Sequence, residues 1–407
     1  MNCRHCHAPL EQVFLDLGHA PPSNAYLDAA ALRAPETTFP LRLFACGRCR
    51  LVQTEDYAGA DALFSADYAY FSSTSRSWLA HAARYADMIT ARLGLDAASR
   101  VVEVASNDGY LLRNFLAAGI PCLGVEPTDS TASAAEALGI PVVRAFFGEE
   151  LARQLVADGM AADLVCGNNV YAHVPDINDF TRGLATLLKS EGVVTLEFPH
   201  LMRLVEFAQF DTVYHEHFSY LSLLTVERIF AGAGLRVVDV EELPTHGGSL
   251  RVYGCHEAAS RVRSERVDAV LGEEVRRGMD TATFYEDFQG RADGIKNALL
   301  TFLLEQKRLG RSVAAYGAAA KGNTLLNYAG VRPDLLPFVC DAAAAKQDRF
   351  MPGSHIPILA PGALEAARPD FVLILPWNIA DEVREQLAGL AAKGTRFVTA
   401  VPRLEVT

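Results

Sequence analysis

Val101-Val102-Glu103-Val104-Ala105-Ser106-Asn107-Asp108-Gly109-Tyr110-Leu111-Leu112 is the stretch on which the reading of this chain turns. A β-branched apolar run ends in a short polar turn with one glycine, and an amphipathic segment follows. That pattern predicts the first strand, loop and helix of a doubly wound α/β domain, whose ligand site lies at the carboxyl edge of the sheet. The loop is not a dinucleotide fingerprint, because G-x-G-x-x-G needs three glycines and only Gly109 is present. It carries instead two carboxylates, Glu103 and Asp108, and the amide Asn107. Those carboxylates would repel a pyrophosphate and suit a ligand with a cationic, amino-acid-like portion. S-adenosylmethionine, with its sulfonium and ammonium groups, is such a ligand.

Outward from this loop, candidate strands at 100–104, 122–126, 141–144, 163–167 and 193–198 alternate with helical or loop segments. An apparent hairpin, 235–240 with 250–255, closes the series. The second strand ends in Gly124-Val125-Glu126-Pro127, and an acidic residue about 20 residues after the first turn accepts both ribose hydroxyls of a nucleoside. A NAD domain would use the same carboxylate, so Glu126 marks a ribose and the absent glycines tilt the choice to S-adenosylmethionine. Asn168-Asn169-Val170-Tyr171-Ala172-His173 follows the fourth strand and brings two amides and a histidine to the same edge. The densest polar cluster is Tyr214-His215-Glu216-His217-Phe218-Ser219-Tyr220. It contains a base, a group to orient it and phenolic donors, bracketed by apolar residues. His-x-His can also chelate a metal, but H-E-x-x-H is missing and a zincin is excluded. The Gly247-Gly248 pair fits a hairpin turn on its own account, which leaves His246 and Arg251 as candidate substrate contacts.

Toward the C-terminus, 257–309 reads as charged amphipathic helices, a connector. A second α/β pattern follows, with strands at 312–317, 338–341, 371–375 and 396–401. In its first loop Gly317 and Gly322 permit close backbone approach, and Lys321 sets a positive charge beside a helix N-terminus, a candidate phosphate cradle. Lys321 precedes the second glycine, so the loop is not a P-loop. A Rossmann-like module without a ligand fits the same pattern. Toward the N-terminus, Cys3-x-x-Cys6 and Cys46-x-x-Cys49 supply the four soft ligands of a closed, structural zinc site. His5 and His7 are substitute ligands, and reduced thiols or a redox pair are the alternatives. Between this module and the central domain, 57–98 is mostly helical. It is broken by Tyr68-Ala69-Tyr70-Phe71-Ser72-Ser73-Thr74-Ser75, which reads either as a lid over a substrate or as core aromatics before an N-cap serine. The expected divisions are 1–56, 57–98, 99–256, 257–309 and 310–407.

A net charge of −12 disfavours a nucleic-acid partner. No apolar run is long enough to span a bilayer and no leader is evident, so a cytoplasmic protein without a membrane partner is expected. Cys122, Cys166, Cys255 and Cys340 lie singly in apolar surroundings and read as small core residues.

Taken together, these motifs resemble the sugar C-methyltransferases of deoxysugar biosynthesis, over essentially the whole length. The resemblance rests on both cysteine pairs, Glu103-x-x-Ser106-Asn107-Asp108-Gly109, Gly124-Val125-Glu126-Pro127 and Asn168-Asn169-Val170-x-Ala172-His173. It continues through Tyr214 to Tyr220, His246-Gly247-Gly248-Ser249 and Gly317-Ala318-Ala319-Ala320-Lys321-Gly322-Asn323. It implies a zinc-binding domain, a class I (Rossmann-like) methyltransferase domain and a C-terminal Rossmann-like domain. The implied substrate is a nucleotide-linked, dTDP-type 4-keto-deoxysugar, and the implied oligomeric state is monomeric. Glu103, Asn107, Asp108, Gly109, Glu126, Pro127, Asn168 and Asn169 would hold the cofactor. His217 would be the general base, with Tyr214, Glu216, His173 and the Tyr68/Tyr70 stretch around it. Ser73, His215, His246, Arg251, Lys321 and Asn323 would meet the substrate. Precedent is strongest for carbon 3 of the sugar, with carbon 5 in related members.

A carbon acceptor has no lone pair, so it needs a base to remove its proton and donors to hold the charge growing on the neighbouring ketone oxygen. Methylation of a hydroxyl or amino group needs little beyond positioning. A NAD-dependent oxidoreductase or epimerase is weakened by the absent glycine fingerprint, and a non-enzymatic zinc recognition module by the acidic charge.

Overall fold

The computed structural model describes residues 1–55, 57 and 71–407. Among these, three sheets organise the chain. The central sheet has seven strands in the order Leu235–Leu243, Ser249–His256, Leu188–Pro199, Ala162–Asn168, Val101–Val104, Cys122–Val125, Val142–Val143. From Leu188–Pro199 to Val142–Val143 the pairing is parallel, and Ser249–His256 is inserted antiparallel to both its neighbours. All four residues of Val101–Val104 are buried, as a strand covered on both faces requires. The strand order reverses between Val101–Val104 and Ala162–Asn168, and the loops there diverge to leave a crevice. The strand expected at 141–144 contracts to two edge residues. The one expected at 193–198 extends to Leu188–Pro199, because it is paired on both sides.

The N-terminal sheet runs Gln12–Ala20, Phe39–Ala45, Val52–Thr54, Ser219–Tyr220. Its last strand therefore comes from the middle of the chain: Val52 lies opposite Tyr220 and Gln53 opposite Ser219. The C-terminal sheet has six strands in the order Ile358–Leu359, Val339–Cys340, Val313–Tyr316, Phe371–Ile374, Arg396–Thr399, Glu405–Val406. All its pairs are parallel except the last.

One core runs from Leu15 and Leu43 of the N-terminal sheet through Phe210 and Val213 to Val339 and Leu373 of the C-terminal sheet. The helix Phe288–Arg308, expected as part of a connector, is a structural member of that core. Its Phe288, Ala292, Ile295, Leu299 and Phe302 repeat at helical spacing on the buried side, and Phe288 stacks on Phe14 at 4.8 Å between ring centroids. Each of these phenylalanine, isoleucine and leucine side chains contributes about 1.5–3 kcal/mol by leaving water. No helix among the described residues is long and apolar enough to cross a membrane.

Candidate active site

A cavity of about 690 Å³ opens at the reversal point of the central sheet and is walled on its far side by the C-terminal domain. Four non-glycine residues on its wall have left-handed backbones: Ala105 (φ 56°), Asn107 (φ 50°), Asn169 (φ 54°) and His246 (φ 53°). Such conformations cost of order 1–3 kcal/mol each, and their gathering around one cavity marks a functional site.

On the central-sheet side the wall includes Asn107, Glu126, Pro127, Asn168 and Asn169. The Glu126 carboxylate accepts the backbone amides of Asn107 at 2.9 Å and Thr128 at 3.0 Å, which pins it at the strand end. The Nδ2 of Asn168 is buried, with the Tyr110 hydroxyl beside it. Glu103, Asp108 and Gly109 do not reach the wall. Glu103 is fully buried beneath the loop, where desolvation holds its carboxyl well above the usual range. Asp108 accepts the amide of Ser73 at 3.0 Å. Gly109 (φ 77°) sits so close to Ile140 that a Cβ would lie 2.5 Å from its side chain, so the loop tolerates nothing larger there. Ser73 itself is exposed and Ser72 takes its place on the wall, because the 3-10 turn Ser72–Thr74 docks through its backbone. Tyr68 and Tyr70 lie outside the described residues.

The polar cluster divides. His217, Tyr214 and Glu216 line the cavity with His173, whereas His215 turns away to the Pro40 carbonyl at 3.2 Å and packs edge-on against Phe39. The Nδ1–H of His217 donates to the Thr212 carbonyl at 3.0 Å. A carbonyl can only accept, so the neutral ring keeps its proton on Nδ1 and leaves Nε2 as the basic nitrogen. Burial, reinforced by His173, holds this imidazole well below its ordinary value. The His173 ring stands 4.6 Å away, edge-on, and is itself pushed down to about 4 by burial. The Tyr214 ring is 4.0 Å from His217. Thus two uncharged imidazoles and a phenol converge. Backbone hydrogen bonds set this placement, because Thr54 of the N-terminal sheet takes the Phe218 carbonyl at 3.2 Å.

On the C-terminal side, Lys321 meets Asn378 Oδ1 at 2.6 Å and lies 4.5 Å over the Trp377 ring, and burial lowers its amine. Trp377 Nε1 donates to Asp211 at 2.7 Å, and burial pushes that carboxyl up to about 6. At Gly317 (φ 91°) a Cβ would lie 2.4 Å from the Pro376 ring, so only glycine lets the loop pass there. His246 also lines the cavity, meets Asn169 at 3.0 Å and is driven down to about 4 by burial. Arg251 and Asn323 do not line it. Arg251 is a cross-strand partner of Glu197, bonded at 2.7 Å, and Asn323 is buried and accepts from Asn327 at 3.2 Å. Wall residues without a motif to announce them are Asn24, Trp78, Lys346 and Asn378. The chain has two tryptophans, one on the wall and one under Lys321. That rarity is the signal that could have singled out Trp78.

The four cysteine sulfurs of the N-terminal module lie within 4.8 Å of one another, with 3.4 Å between Cys3 and Cys49 and 3.5 Å between Cys6 and Cys46. Bonds of ~2.3 Å to a tetrahedral zinc put sulfurs ~3.8 Å apart, so the set fits the ion and leaves no position for water. His5 and His7 are outside the cluster; His5 meets Asn178 at 2.8 Å instead.

Residues 3–64 match a family described as a putative zinc binding domain, 78–240 a methyltransferase domain, and 244–402 a C-methyltransferase C-terminal domain. C-methyltransferase NovU of Streptomyces niveus is 34% identical over 371 residues, spanning 91% of this chain and 88% of NovU. Magnesium protoporphyrin IX methyltransferase of Synechocystis PCC 6803, solved with bound S-adenosylmethionine, matches at a TM-score of 0.33 and 14% identity, over 44% of this chain and 82% of that one. A chain of the complex between the Haloferax volcanii Trm112 activator and a putative methyltransferase gives 0.35 and 16%, over 43% and 89%. With a four-cysteine zinc module, a methyltransferase sheet and a C-terminal α/β domain matched in turn along its length, and with NovU related to it from end to end of that arrangement, this chain belongs to the S-adenosylmethionine-dependent C-methyltransferases.

Proposed function

We propose that the chain methylates carbon 3 of a nucleotide-linked 4-keto-deoxysugar, with His217 as the base that makes the carbon nucleophilic. The observation that carries this reading is the tautomer of His217. Its Nδ1–H is committed to the Thr212 carbonyl, so a buried, uncharged Nε2 is available on the wall of a cavity shared with Glu126, Asn168 and Asn169. A methyltransferase acting on oxygen or nitrogen would not need a base so prepared.

His217 Nε2 takes the proton from the carbon beside the ketone, and the electrons of that C–H bond pass into the enolate. Tyr214, whose ring stands beside that of His217, is the donor assigned to the ketone oxygen, since the one N–H of the neutral His173 ring goes to the Glu216 carbonyl. His215 drops out of this role because it faces the N-terminal sheet. Glu216 steadies the imidazolium that results. S-adenosylmethionine, when bound, supplies the electrophilic methyl group. Glu126 is the residue for its ribose, and Asn107 in the loop over Glu103 and Asp108 is the residue for its amino-acid end. Lys321 and Lys346 bring two amines to the opposite wall for the diphosphate of the sugar nucleotide.

The test uses methyl-labelled cofactor and a panel of nucleotide 4-ketosugars deuterated at carbon 3 or carbon 5. Loss of the carbon 3 deuterium on methylation is expected. Loss from carbon 5 moves the acceptor, and retention of both labels means an oxygen or nitrogen acceptor. His217→Asn should lower kcat by about 10²–10⁴-fold while leaving cofactor binding intact; near-normal turnover in that variant removes His217 as the base.

A further inference from the structure

We infer that Asn24, on the segment joining the first two strands of the zinc-binding module, is a positioning residue of the methyl-transfer site and acts through Glu216. Its Nδ2 lies 2.8 Å from Oε1 and 2.9 Å from Oε2 of Glu216, and both residues line the cavity. A carboxylate only accepts, so it is the amide nitrogen that faces it, and one donor set between both oxygens fixes the carboxylate plane.

What makes Asn24 more than a chance contact is how its segment is held. Leu27 and Phe350 exchange backbone hydrogen bonds at 3.0 and 2.8 Å, Tyr26 Oη donates to the Ala318 carbonyl at 2.5 Å, and Glu36 accepts the Gly353 amide at 2.8 Å. The N-terminal module thus straps itself to the C-terminal domain, and the strap delivers a single amide into the central site. Glu216 precedes His217 in the chain, and its backbone also bonds the His173 imidazole. Holding Glu216 therefore holds the segment that carries the base. This rests on the reading of His217 as that base. Tyr26 of the strap feels the charge of Glu216, and His173 and His217 from the central segment and Lys321 and Lys346 from the C-terminal domain share the cavity with it. Asp341 acts on Tyr26 from beyond.

The experiment compares Asn24→Ala, Asn24→Asp and Asn24→Gln with the parent enzyme, full length and zinc-loaded. The first readout needs no substrate: infrared titration of the carboxyl band that Glu216→Gln removes. Removing a donor to the ionised form should make the protonated band appear at higher pH in Asn24→Ala. The second is steady-state kinetics. Expected are a kcat about tenfold lower, an acid limb moved to higher pH, unchanged cofactor affinity and zinc content, and partial recovery in Asn24→Gln. An unmoved Glu216 titration with parental kcat overturns the inference. So does a uniform loss of zinc, cofactor affinity and thermal stability, which would mark Asn24 as merely structural. If the parent enzyme methylates no 4-ketosugar, the proposed function fails, while the infrared titration still decides the link between Asn24 and Glu216.

Discussion

In the central domain the second strand, Cys122–Val125, ends in Glu126, whose carboxylate takes the amides of Asn107 and Thr128 at 2.9 and 3.0 Å. In the C-terminal domain the corresponding strand, Val339–Cys340, ends in Asp341, whose carboxylate takes the amides of Ala318 and Ala343, both at 2.8 Å. Each acid is bound by one amide from the first loop and one from two residues on. Around Glu126 this leaves a cavity. Around Asp341 the Tyr26 phenol and the Lys346 amine close in on the Ala318 carbonyl at 2.5 and 2.9 Å, and Lys346 comes within 3.6 Å of Asp341 itself. The carboxylate at the end of a second strand is thus a device for knitting two loops together. Only where no other part of the chain fills the space beside it, as at Glu126, is there room for the nucleoside we propose there.

The sharpest way to break this comparison is to remove each acid. Glu126→Ala should weaken cofactor binding by about 10–100-fold, the equivalent of about 1.5–3 kcal/mol for a hydrogen bond to a charged group. Asp341→Ala should leave cofactor affinity unchanged and lower only the melting temperature. Calorimetric titration of both variants checks this, and equal losses of affinity would mean that the two crevices are not distinct in role.

Next in size is the response to acid, which should arise in the central crevice. His173 and His246 are pushed down to about 4 by burial, and His217 is held well below its ordinary value. An unfolded histidine takes up a proton near pH 6.5, whereas the folded chain refuses it until about pH 4. The unfolded state therefore binds more protons in that window. The stability these groups confer is complete above pH 6.5 and is lost as pH falls toward 4. Thermal scans from pH 7 to 4 should show a falling melting temperature, and His246→Asn should flatten the curve. A flat profile in the parent chain would contradict the burial of these rings. The smallest effect is expected from Tyr26→Phe, which removes one hydrogen bond worth ~1 kcal/mol on the closed side. It should lower the melting temperature by about 2–4 °C and leave cofactor affinity untouched.

The history of individual residues shows why some of the site was legible and some was not. Glu126 and Asn107 were readable because a strand end and the turn after it are local features. His215 and His217 share a parity that would set them side by side in an extended chain. The turn at His215-Glu216 sends one to Pro40 and the other to the cavity. Arg251 stands beside a candidate histidine in sequence, but strand pairing sets it opposite Glu197, and the ion pair withdraws it from the cavity. Asn24 carries no motif at all.

By itself the sequence determined everything that depends on short-range spacing. Cysteine pairs with two residues between them form metal-binding hooks, β-branched runs form strands, and a polar loop after such a run creates a ligand edge. Only the tertiary structure decided which polar groups share the cavity. That depends on contacts between residues far apart in the chain, such as Asn24 with Glu216 and Val52 with Tyr220. Such contacts follow from burying a core shared by the N-terminal and C-terminal sheets and a second one shared by the zinc module and the central sheet, and no window of sequence contains them.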